Sequence, residues 1–525
     1  ISVRVLALSA GLGENLRVQG SSDPNRELLD AQALVGHLVP AGTVYAFLAE
    51  HRQRVFPDEL FADLFGSGRG RPSVPADVIA TTMLLQALSN LSDRDALAAL
   101  RTDLRWKVAA GLTLDDEGFH PTVLTLWRNK LRASERPQRI FEAVREVIDA
   151  TNVLSGKTRR ALDSTVLDDA VTRQDAIMQL VAQIRRVRRL VPEAKALMLV
   201  AHDYDNDTGK PKCAWNDRAD IDRVVTELVG DAHTVLAAVD GVELDDVQAE
   251  AVGLLALVAG QDVEPGDTDG TWRIAQGTRP GRMVSVHDPD SRHVHKTNHN
   301  YRDGFKAHVG VEPDTGLITA CDLTAGNVGD AQAAPGLLAD ESAPVEVLAD
   351  SAYGSGEFRA HLADQGHTAT IKPIPLKPAV PAGFTIDDFT IDTTAATATC
   401  PNGVTTRISR TGTATFGAKC RGCPLRQRCT TAARGRVLKI HEHHDLMAAA
   451  RARALTAEFT EPYQQHRPMV ERSIAWLVRR GGRKVRYRGI ARNQIGFAHR
   501  CAAINLGRLV NLGLHHTDGK WQLAT

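Results

Sequence analysis

Two short apolar segments, each with one aspartate, place the strongest constraint on the fold. The segment TRRALDSTVL at 158–167 alternates like a β-strand and carries Asp163 in its middle. The segment PVEVLADSAYG at 344–354 ends its apolar run at Asp350. A carboxylate in an apolar strand costs free energy unless it is paired or binds a metal ion. Helical periodicity surrounds both segments, so the sequence predicts an α/β protein with acidic side chains on distant strands.

The first 135 residues show helical patterns only. An apolar helix is predicted after Pro75 and another after Pro121, because proline is favoured in the first helical turn. The second of these helices carries Trp127, Arg128 and Lys130. A compact helical unit that ends in a basic helix is typical of a helix-turn-helix DNA reader. The alternative is a helical bundle with a solvated basic face.

The middle of the chain combines an acidic stretch with a strand pair. Residues 201–270 hold 17 Asp or Glu against 4 Lys or Arg, which predicts a helical insert on the solvent side that does not contact DNA. Residues 305–323 form two alternating runs around a Pro-Asp-Thr-Gly turn, and this pattern predicts a β-hairpin.

The late part of the chain predicts a helix with a polar cluster. One long helix is expected over 444–480, and within it Tyr463, Arg467 and Glu471 share a face because they are four residues apart. The simplest interpretation is a surface helix with an Arg–Glu pair. The alternative is an acidic catalytic group beside side chains that contact phosphate.

A basic hairpin and a closing helix are expected after that helix. Residues 451–510 hold 13 Lys or Arg and 3 Asp or Glu, which is typical of a surface that binds the DNA backbone. The formal net charge of zero excludes no partner, because local patches decide binding. The candidate contacts are Arg479, Arg480, Arg483, Lys484, Arg486 and Arg488.

Four of the seven cysteines cluster in one segment. Cys420 and Cys423 form a C-x-x-C knuckle, and with Cys400 and Cys429 they supply the four thiolates of a tetrahedral zinc site. The segment has few large apolar residues, so a structural Zn²⁺ would stabilise it. Free thiols and an iron–sulfur cluster are the alternatives. A zinc-dependent hydrolase that uses this region is a further, rival interpretation.

Together these motifs resemble the bacterial insertion-sequence DDE transposases. The resemblance rests on LDST, on YRDGFKAHVGV with GNVGDAQ, on LADSAYG, and on the late helix with its Tyr, Arg and Glu. It covers most of the chain. The spacing departs from the family pattern in two places: three residues separate Tyr463 from Arg467 where two are usual, and Val478 stands where a lysine is expected.

The resemblance implies a fold and an activity. It implies an RNase H-like mixed sheet flanked by helices, with an all-α N-terminal domain and small inserted domains. Asp163, Asp350 and Glu471 would be the catalytic triad and would hold two Mg²⁺ or Mn²⁺ ions. Tyr463 and Arg467 would contact phosphate. The implied reaction is cleavage at terminal inverted repeats of double-stranded DNA followed by strand transfer into target DNA, carried out by a homodimer.

These inferences divide the chain into six parts. They are a helical DNA-binding domain at 1–135, core segments at 150–202 and 298–372, an acidic insert and linker at 203–297, a cysteine-rich insert at 373–440, and the catalytic helix with the basic segment at 441–525. No apolar run long enough for a membrane span and no signal peptide is found, so a cytoplasmic, nucleoid-associated protein is expected. The alternative function is an inactive or domesticated relic that only binds DNA.

Overall fold

The computed structural model describes residues 18–22, 28–66, 71–277, 279, 281–297 and 300–524. The predicted absence of a signal peptide concerns N-terminal residues that lie outside these ranges. The described chain is a mixed α/β protein. In that part of the chain, no helix has both the length and the apolar character needed to cross a bilayer.

The predicted N-terminal helices are present. The residues that the structure describes before the first strand of the main sheet form seven α-helices: α1 Ala31–Val35, α2 Val44–Val55, α3 Ala76–Ser89, α4 Asp93–Thr102, α5 Leu104–Ala110, α6 Thr122–Ala133 and α7 Arg139–Ala150. Helix α3 ends at Asn90, whose left-handed conformation (φ 51°) is one that asparagine tolerates at a helix C-terminus. The segment 58–64 is a 3-10 helix.

A seven-stranded mixed sheet forms the centre of the molecule. Its first strand is β1 Arg159–Asp168, and an insert interrupts the chain before the next strands of the sheet. The insert contains α8 Ala176–Leu190, α9 Pro192–Lys195, α10 Arg218–Ala238, α11 Asp246–Gln261, β2 Val263–Pro265 and β3 Trp272–Ile274. The sheet then continues through β4 Met283–Ser285, β5 Asp288–Thr297, β6 Asn300–Val311, β7 Ile318–Ala325, α12 Asp330–Leu337, β8 Glu346–Ala349, α13 Gly356–Asp364 and β9 Thr368–Ile371.

Strand β1 lies between partners of opposite direction. The sheet order is β4-β5-β6-β1-β8-β9, and β7 also pairs with β6, along residues 305–311. β1 is antiparallel to β6 and parallel to β8. The predicted hairpin is confirmed as β6 and β7, which are antiparallel across a turn that contains Gly316 at φ 76°. Both apolar segments with an aspartate therefore contribute neighbouring strands of one sheet.

The two inserts have their own small cores. Buried side chains of α8, α10 and α11 pack on one another and on Met283 and Val286 near β4. In the cysteine-rich region, Phe389, Phe416 and neighbouring residues form a second small core. The elements of that region are β10 Thr390–Asp392, β11 Thr397–Thr399, β12 Thr405–Arg407, β13 Thr413–Thr415, α14 Arg426–Cys429 and β14 Val437–Lys439.

The C-terminal region differs from the expected single helix over 444–480. It contains α15 His444–Arg453, α16 Ala457–His466 and α17 Pro468–Leu477, followed by α18 Ile490–Asn511, β15 His515–Thr517 and β16 Lys520–Gln522. Pro468 is the first residue of α17. A proline is tolerated there because the N–H of a first-turn residue has no hydrogen-bond partner within the helix. The predicted basic hairpin is also wrong: residues 482–489 are irregular and pair with the end of β1 through Asp168.

One hydrophobic core joins the N-terminal helices to the sheet. The buried side chains of α2, α3, α6 and α7 are continuous with those of β1, β6 and β7 through the nearly buried helix α18. Trp127 belongs to this core: it is 4 % exposed and packs edge-on against Phe61 and Phe65. Its indole is thus packed in the interior. The sequence had predicted a DNA contact at Trp127, which would need a side chain that faces solvent.

The burial of Trp127 gives a stability prediction. Trp127→Ala should lower the free energy of unfolding by about 3–5 kcal/mol, because it empties a large volume in the core. The neighbouring Leu126 is 51 % exposed, so Leu126→Ala should change stability by only about 0.5 kcal/mol. Chemical denaturation of both variants measures the difference. Equal losses for the two, or a Trp127 variant of full stability that binds DNA more weakly, would contradict the assignment to the core.

Candidate active site

Asp163 and Asp350 lie side by side at the centre of the sheet. The parallel register pairs Arg159 with Glu346 and Ala161 with Leu348. Continued by two residues, the same register places Asp163 beside Asp350, on strands about 4.8 Å apart. Asp163 occupies the middle of β1, and Asp350 follows the last residue of β8, where its Oδ1 accepts from the N–H of Ala352 at 2.9 Å.

Arg467 links Glu471 on helix α17 to Asp163 on strand β1. Arg467 Nη2 lies 3.1 Å from Asp163 Oδ2, and Arg467 Nη1 lies 3.6 Å from Glu471 Oε1. Glu471 is in the first turn of α17, where the positive end of the helix favours a carboxylate. The Glu471 side chain is 65 % exposed, whereas that of Arg467 is 5 % exposed. Asp163 and Glu471 therefore contact one buried guanidinium, and the charge of Asp350 also acts on it.

The electrostatics of this cluster follow from burial. Desolvation raises the pKa of Asp163 above its usual range, and Asp350 adds to the rise, while Arg467 and the backbone N–H of Ser164 oppose it. Burial by itself would lower the pKa of Arg467, but Asp163, Tyr463 and Asp350 raise it overall. Arg467 is accordingly the cation that compensates the acidic groups in this structure. Its Nε and Nη1 are buried without a hydrogen-bond partner among the described residues.

A second charged cluster lies next to Asp163. Asp330, the first residue of α12, accepts from Ser164 Oγ at 2.9 Å and pairs with Lys306 Nζ at 3.0 Å. His308 is fully buried, with Nδ1 3.9 Å from the same carboxylate. Its pKa is lowered to about 4, chiefly by burial, so it is neutral at pH 7. Lys306 and His308 therefore face the same side of β6, as the period of the strand predicts.

Two tyrosines complete the surroundings. Tyr353, in the short 3-10 turn after Asp350, is fully buried, and burial followed by the charges of three nearby aspartates raises its pKa. Tyr463 stacks on Phe459 with ring centroids 5.5 Å apart and interacts electrostatically with Arg467. Sequence reasoning did not single out Ser164 or Tyr353, although both belong to the motifs LDST and LADSAYG that carry the aspartates.

The carboxylates are not arranged as a finished metal centre. Among the described residues, no group of three or more His, Cys, Asp or Glu side chains is placed to hold a metal ion. Arg467 contacts two of the three acidic residues and takes the position of a counter-charge. The donor set of three carboxylates nevertheless has the hard oxygen atoms that Mg²⁺ and Mn²⁺ bind.

The four clustered cysteines line one small cavity. Cys400, Cys420, Cys423 and Cys429 all border a space of about 20 Å³ in the core of the cysteine-rich region. Burial, with smaller effects from the other three thiols, raises the pKa of Cys429. Among the described residues that line this cavity there is no histidine; His441 instead pairs with Glu357 at 2.9 Å. The cysteines border one space, although in the described part of the chain they are not placed as a metal-ligand group.

The basic segment 479–488 continues directly from α17. Arg479, Arg480, Lys484 and Arg488 are exposed. The backbone of the segment pairs with Asp168, with Asp168 N–H donating to Arg483 at 2.8 Å. Arg483 Nη1 lies 3.3 Å from Thr165 Oγ1, on the strand face that also carries Asp163. This segment therefore extends positive charge from the acidic cluster to solvent.

Other predicted DNA contacts have internal partners. Arg128 pairs with Asp93 and stacks over Tyr487, and Lys130 donates to the carbonyl of Leu64 at 2.9 Å. Arg486 binds Asn90 at the end of α3. These three cations, like the buried Trp127, hold the helices to one another and to the C-terminal segment. A basic pattern in the sequence cannot distinguish such internal bonds from a free surface.

Two family models match the chain. Residues 399–510 match the model described as Transposase DDE domain, and residues 35–130 match the model described as Transposase domain (DUF772). The first match includes the four cysteines, Arg467, Glu471 and the basic segment, whereas Asp163 and Asp350 lie outside both matches. No curated protein and no solved structure matches the chain significantly.

The cluster beside Asp163 gives a second stability prediction. Asp330→Asn removes the charge that balances Lys306, which is 16 % exposed, and should lower the free energy of unfolding by about 1–3 kcal/mol. The matched control is Asp340→Asn, which breaks the ion pair between Asp340 and Arg145. Because the Asp340 side chain is 71 % exposed, this change should lower the free energy of unfolding by at most about 1 kcal/mol. Denaturant unfolding of both variants tests the prediction. Equal costs would show that Asp330 has no special role.

Proposed function

We propose that this chain, in which two regions match transposase domain models, is a DDE transposase of the insertion-sequence kind and that Asp163, Asp350 and Glu471 form its active site. The observation that supports this most is the arrangement of the three carboxylates: two on adjacent parallel strands and one on a helix joined to the first strand by Arg467. The activity would be cleavage of DNA at the ends of the element, followed by transfer of the 3′-OH end into target DNA.

The catalytic cations would be Mg²⁺ or Mn²⁺. Asp163, Asp350 and Glu471 would hold these ions. When bound, two such ions activate the attacking oxygen and stabilise the leaving oxygen in an in-line displacement. Arg467 would have a different role: its buried Nε and Nη1, which have no hydrogen-bond partner among the described residues, would donate to a phosphate oxygen. Tyr463, on the same helical run, would contact the same phosphate.

The sheet supports an RNase H-like core. Strand β6 is antiparallel to both β7 and β1, and β8 and β9 continue from β1 in parallel. In such a core, Asp163 on β1 and Asp350 directly after β8 would be the first two catalytic residues.

The DNA surface would start at the active site and follow the basic segment. Arg483 lies against β1, and Arg479, Arg480, Lys484 and Arg488 offer exposed cations for the phosphate backbone. We assign recognition of the terminal inverted repeats to the matched helical region 35–130, through residues other than Trp127, Arg128 and Lys130. A homodimer on paired ends and a location at the nucleoid complete the proposal.

The cysteine cavity would hold a structural Zn²⁺. Four thiols around one space, without a histidine or carboxylate among its lining residues, have the chemistry of a closed zinc site with no position for a substrate. The role of Cys400, Cys420, Cys423 and Cys429 would be to fix the short strands β10 to β14, whose core contains few large side chains.

A cleavage assay tests the catalytic proposal. Glu471→Gln keeps the size of the side chain but removes a carboxylate ligand, and it should abolish Mn²⁺-dependent cleavage of a labelled duplex that carries the element's ends. Loss of interactions that merely orient a ligand costs about 10–100-fold, so the rate should fall by more than that. DNA binding should persist.

The matched control is Glu461→Gln, an exposed glutamate on α16 that should cleave like the wild type. Cleavage by Glu471→Gln at the wild-type rate would refute the assignment of Glu471. Binding without cleavage by the wild-type protein would favour the alternative, a relic that only binds DNA.

Metal analysis tests the zinc proposal. The purified wild-type protein should contain about one Zn²⁺ per chain, and Cys423→Ser should lack it and melt at a lower temperature. Cys213→Ser, which changes a cysteine of the other insert, should retain both the zinc and the melting temperature. A wild-type protein without zinc, or a Cys423 variant with full zinc content, would overturn the proposal.

A further inference from the structure

A large basic groove lies between the acidic insert and the main sheet. Its volume is about 830 Å³, and it is bordered by α8, α9, Arg488 and the loop 286–289 (the two residues between β4 and β5 together with the first two residues of β5). Its lining includes six Lys or Arg and two acidic residues. The cations are Arg185, Arg186, Arg188, Arg189, Lys195 and Arg488. The groove thus has a strong positive excess in a protein whose formal net charge is zero.

Only part of this positive charge is compensated. Arg186 pairs with Glu250 at 3.3 Å, and Arg188 pairs with Asp205 at 2.9 Å. Arg189, Lys195 and Arg488 are exposed and form no ion pair with any described residue. Mutual repulsion of these cations costs free energy that a bound polyanion would recover.

One buried donor among the lining residues also lacks a partner. Arg188 is 8 % exposed, and its Nε has no hydrogen-bond partner in the described part of the chain. Unsatisfied buried polar groups are rare in folded proteins and call for an explanation, such as a ligand or an ordered water.

The groove is continuous with the basic segment that follows α17. Gly489 N–H donates to Asp288 at 3.1 Å and Ile490 N–H donates to Asp290 at 2.9 Å, and these two bonds fix Arg488 beside the loop 286–289. Within that loop, burial followed by the charges of Arg488 and Arg186 lowers the pKa of His287. Positive potential therefore extends from the end of α17 through residues 479–488 into the groove.

We propose that this groove binds the phosphate backbone of duplex DNA beyond the cleavage point, so that the insert is a second DNA-binding surface. The arginines would act as sequence-independent phosphate contacts. This inference rests on the proposed function only in requiring that the chain binds DNA. From its acidic composition, the insert was predicted not to contact DNA. The arginines of α8 come before the acidic stretch in the sequence, and the fold places them in the groove next to the sheet.

The test measures the salt dependence of binding to a random-sequence duplex, without divalent metal. The variant is Arg189→Gln/Lys195→Gln, two exposed cations without ion pairs whose loss should not affect folding. The logarithm of the binding constant falls with the logarithm of the salt concentration, and each lost phosphate contact makes this line less steep by about 0.9. The expected result is therefore a line less steep by about 1.8 and an affinity at low salt that is weaker by about tenfold or more.

The matched control is Arg218→Gln/Arg223→Gln, which removes the same charge from α10 of the same insert, outside the groove. It should retain the wild-type slope. Equal slopes for the groove variant, the control and the wild type would overturn the proposal, as would a groove variant whose DNA affinity is unchanged but whose self-association is lost. Since no cleavage is measured, the result is independent of the Glu471→Gln assay, and either proposal can fail alone.

Discussion

The contact of Arg467 with Asp163 and Glu471 is the interaction on which the central architecture depends. It joins the middle strand of the sheet to a helix more than 300 residues later in the chain. Arg467 is 4 % exposed, so its loss would leave the Asp163 carboxylate buried with no cation beside it, which is far more costly than loss of a surface pair. Pro468 starts α17 directly after Arg467. The break between α16 and α17 therefore coincides with the residue that must turn toward the sheet.

Around this contact, each buried acid has its own cation. Asp163 has Arg467, and Asp330 has Lys306, while Ser164 on β1 links the second pair to the first by donating to Asp330. Two carboxylates close together would otherwise repel each other and raise each other's pKa. The arrangement compensates the charge of acidic groups at the centre of the sheet with cations of the protein itself.

The elements that carry the aspartates were predictable because local pattern determines them. The alternation of TRRALDSTVL and the hairpin turn at 312–316 are properties of a few neighbouring residues, and they appear in the structure as β1 and β6–β7. Features that depend on distant contacts were not predictable. The expected basic hairpin fails because residues 483–485 bond to the backbone of Asp168, and Trp127 is buried by aromatic side chains 62 to 66 residues away. Likewise, only the fold shows that Arg128 and Arg486 bond within the protein.

The same reasoning applies to charge. An average over 201–270 describes the insert as acidic, but electrostatic potential depends on which side chains face a common space. The arginines of α8 face the loop 286–289 and Arg488, whereas much of the acidic sequence lies on α10, on α11 and in their connecting loops. Asp205 and Glu250 neutralise two of six cations in the groove. If all six cations were paired within the protein, the groove would gain little from a bound polyanion. The cations that lack an ion pair favour a state in which a polyanion occupies the groove.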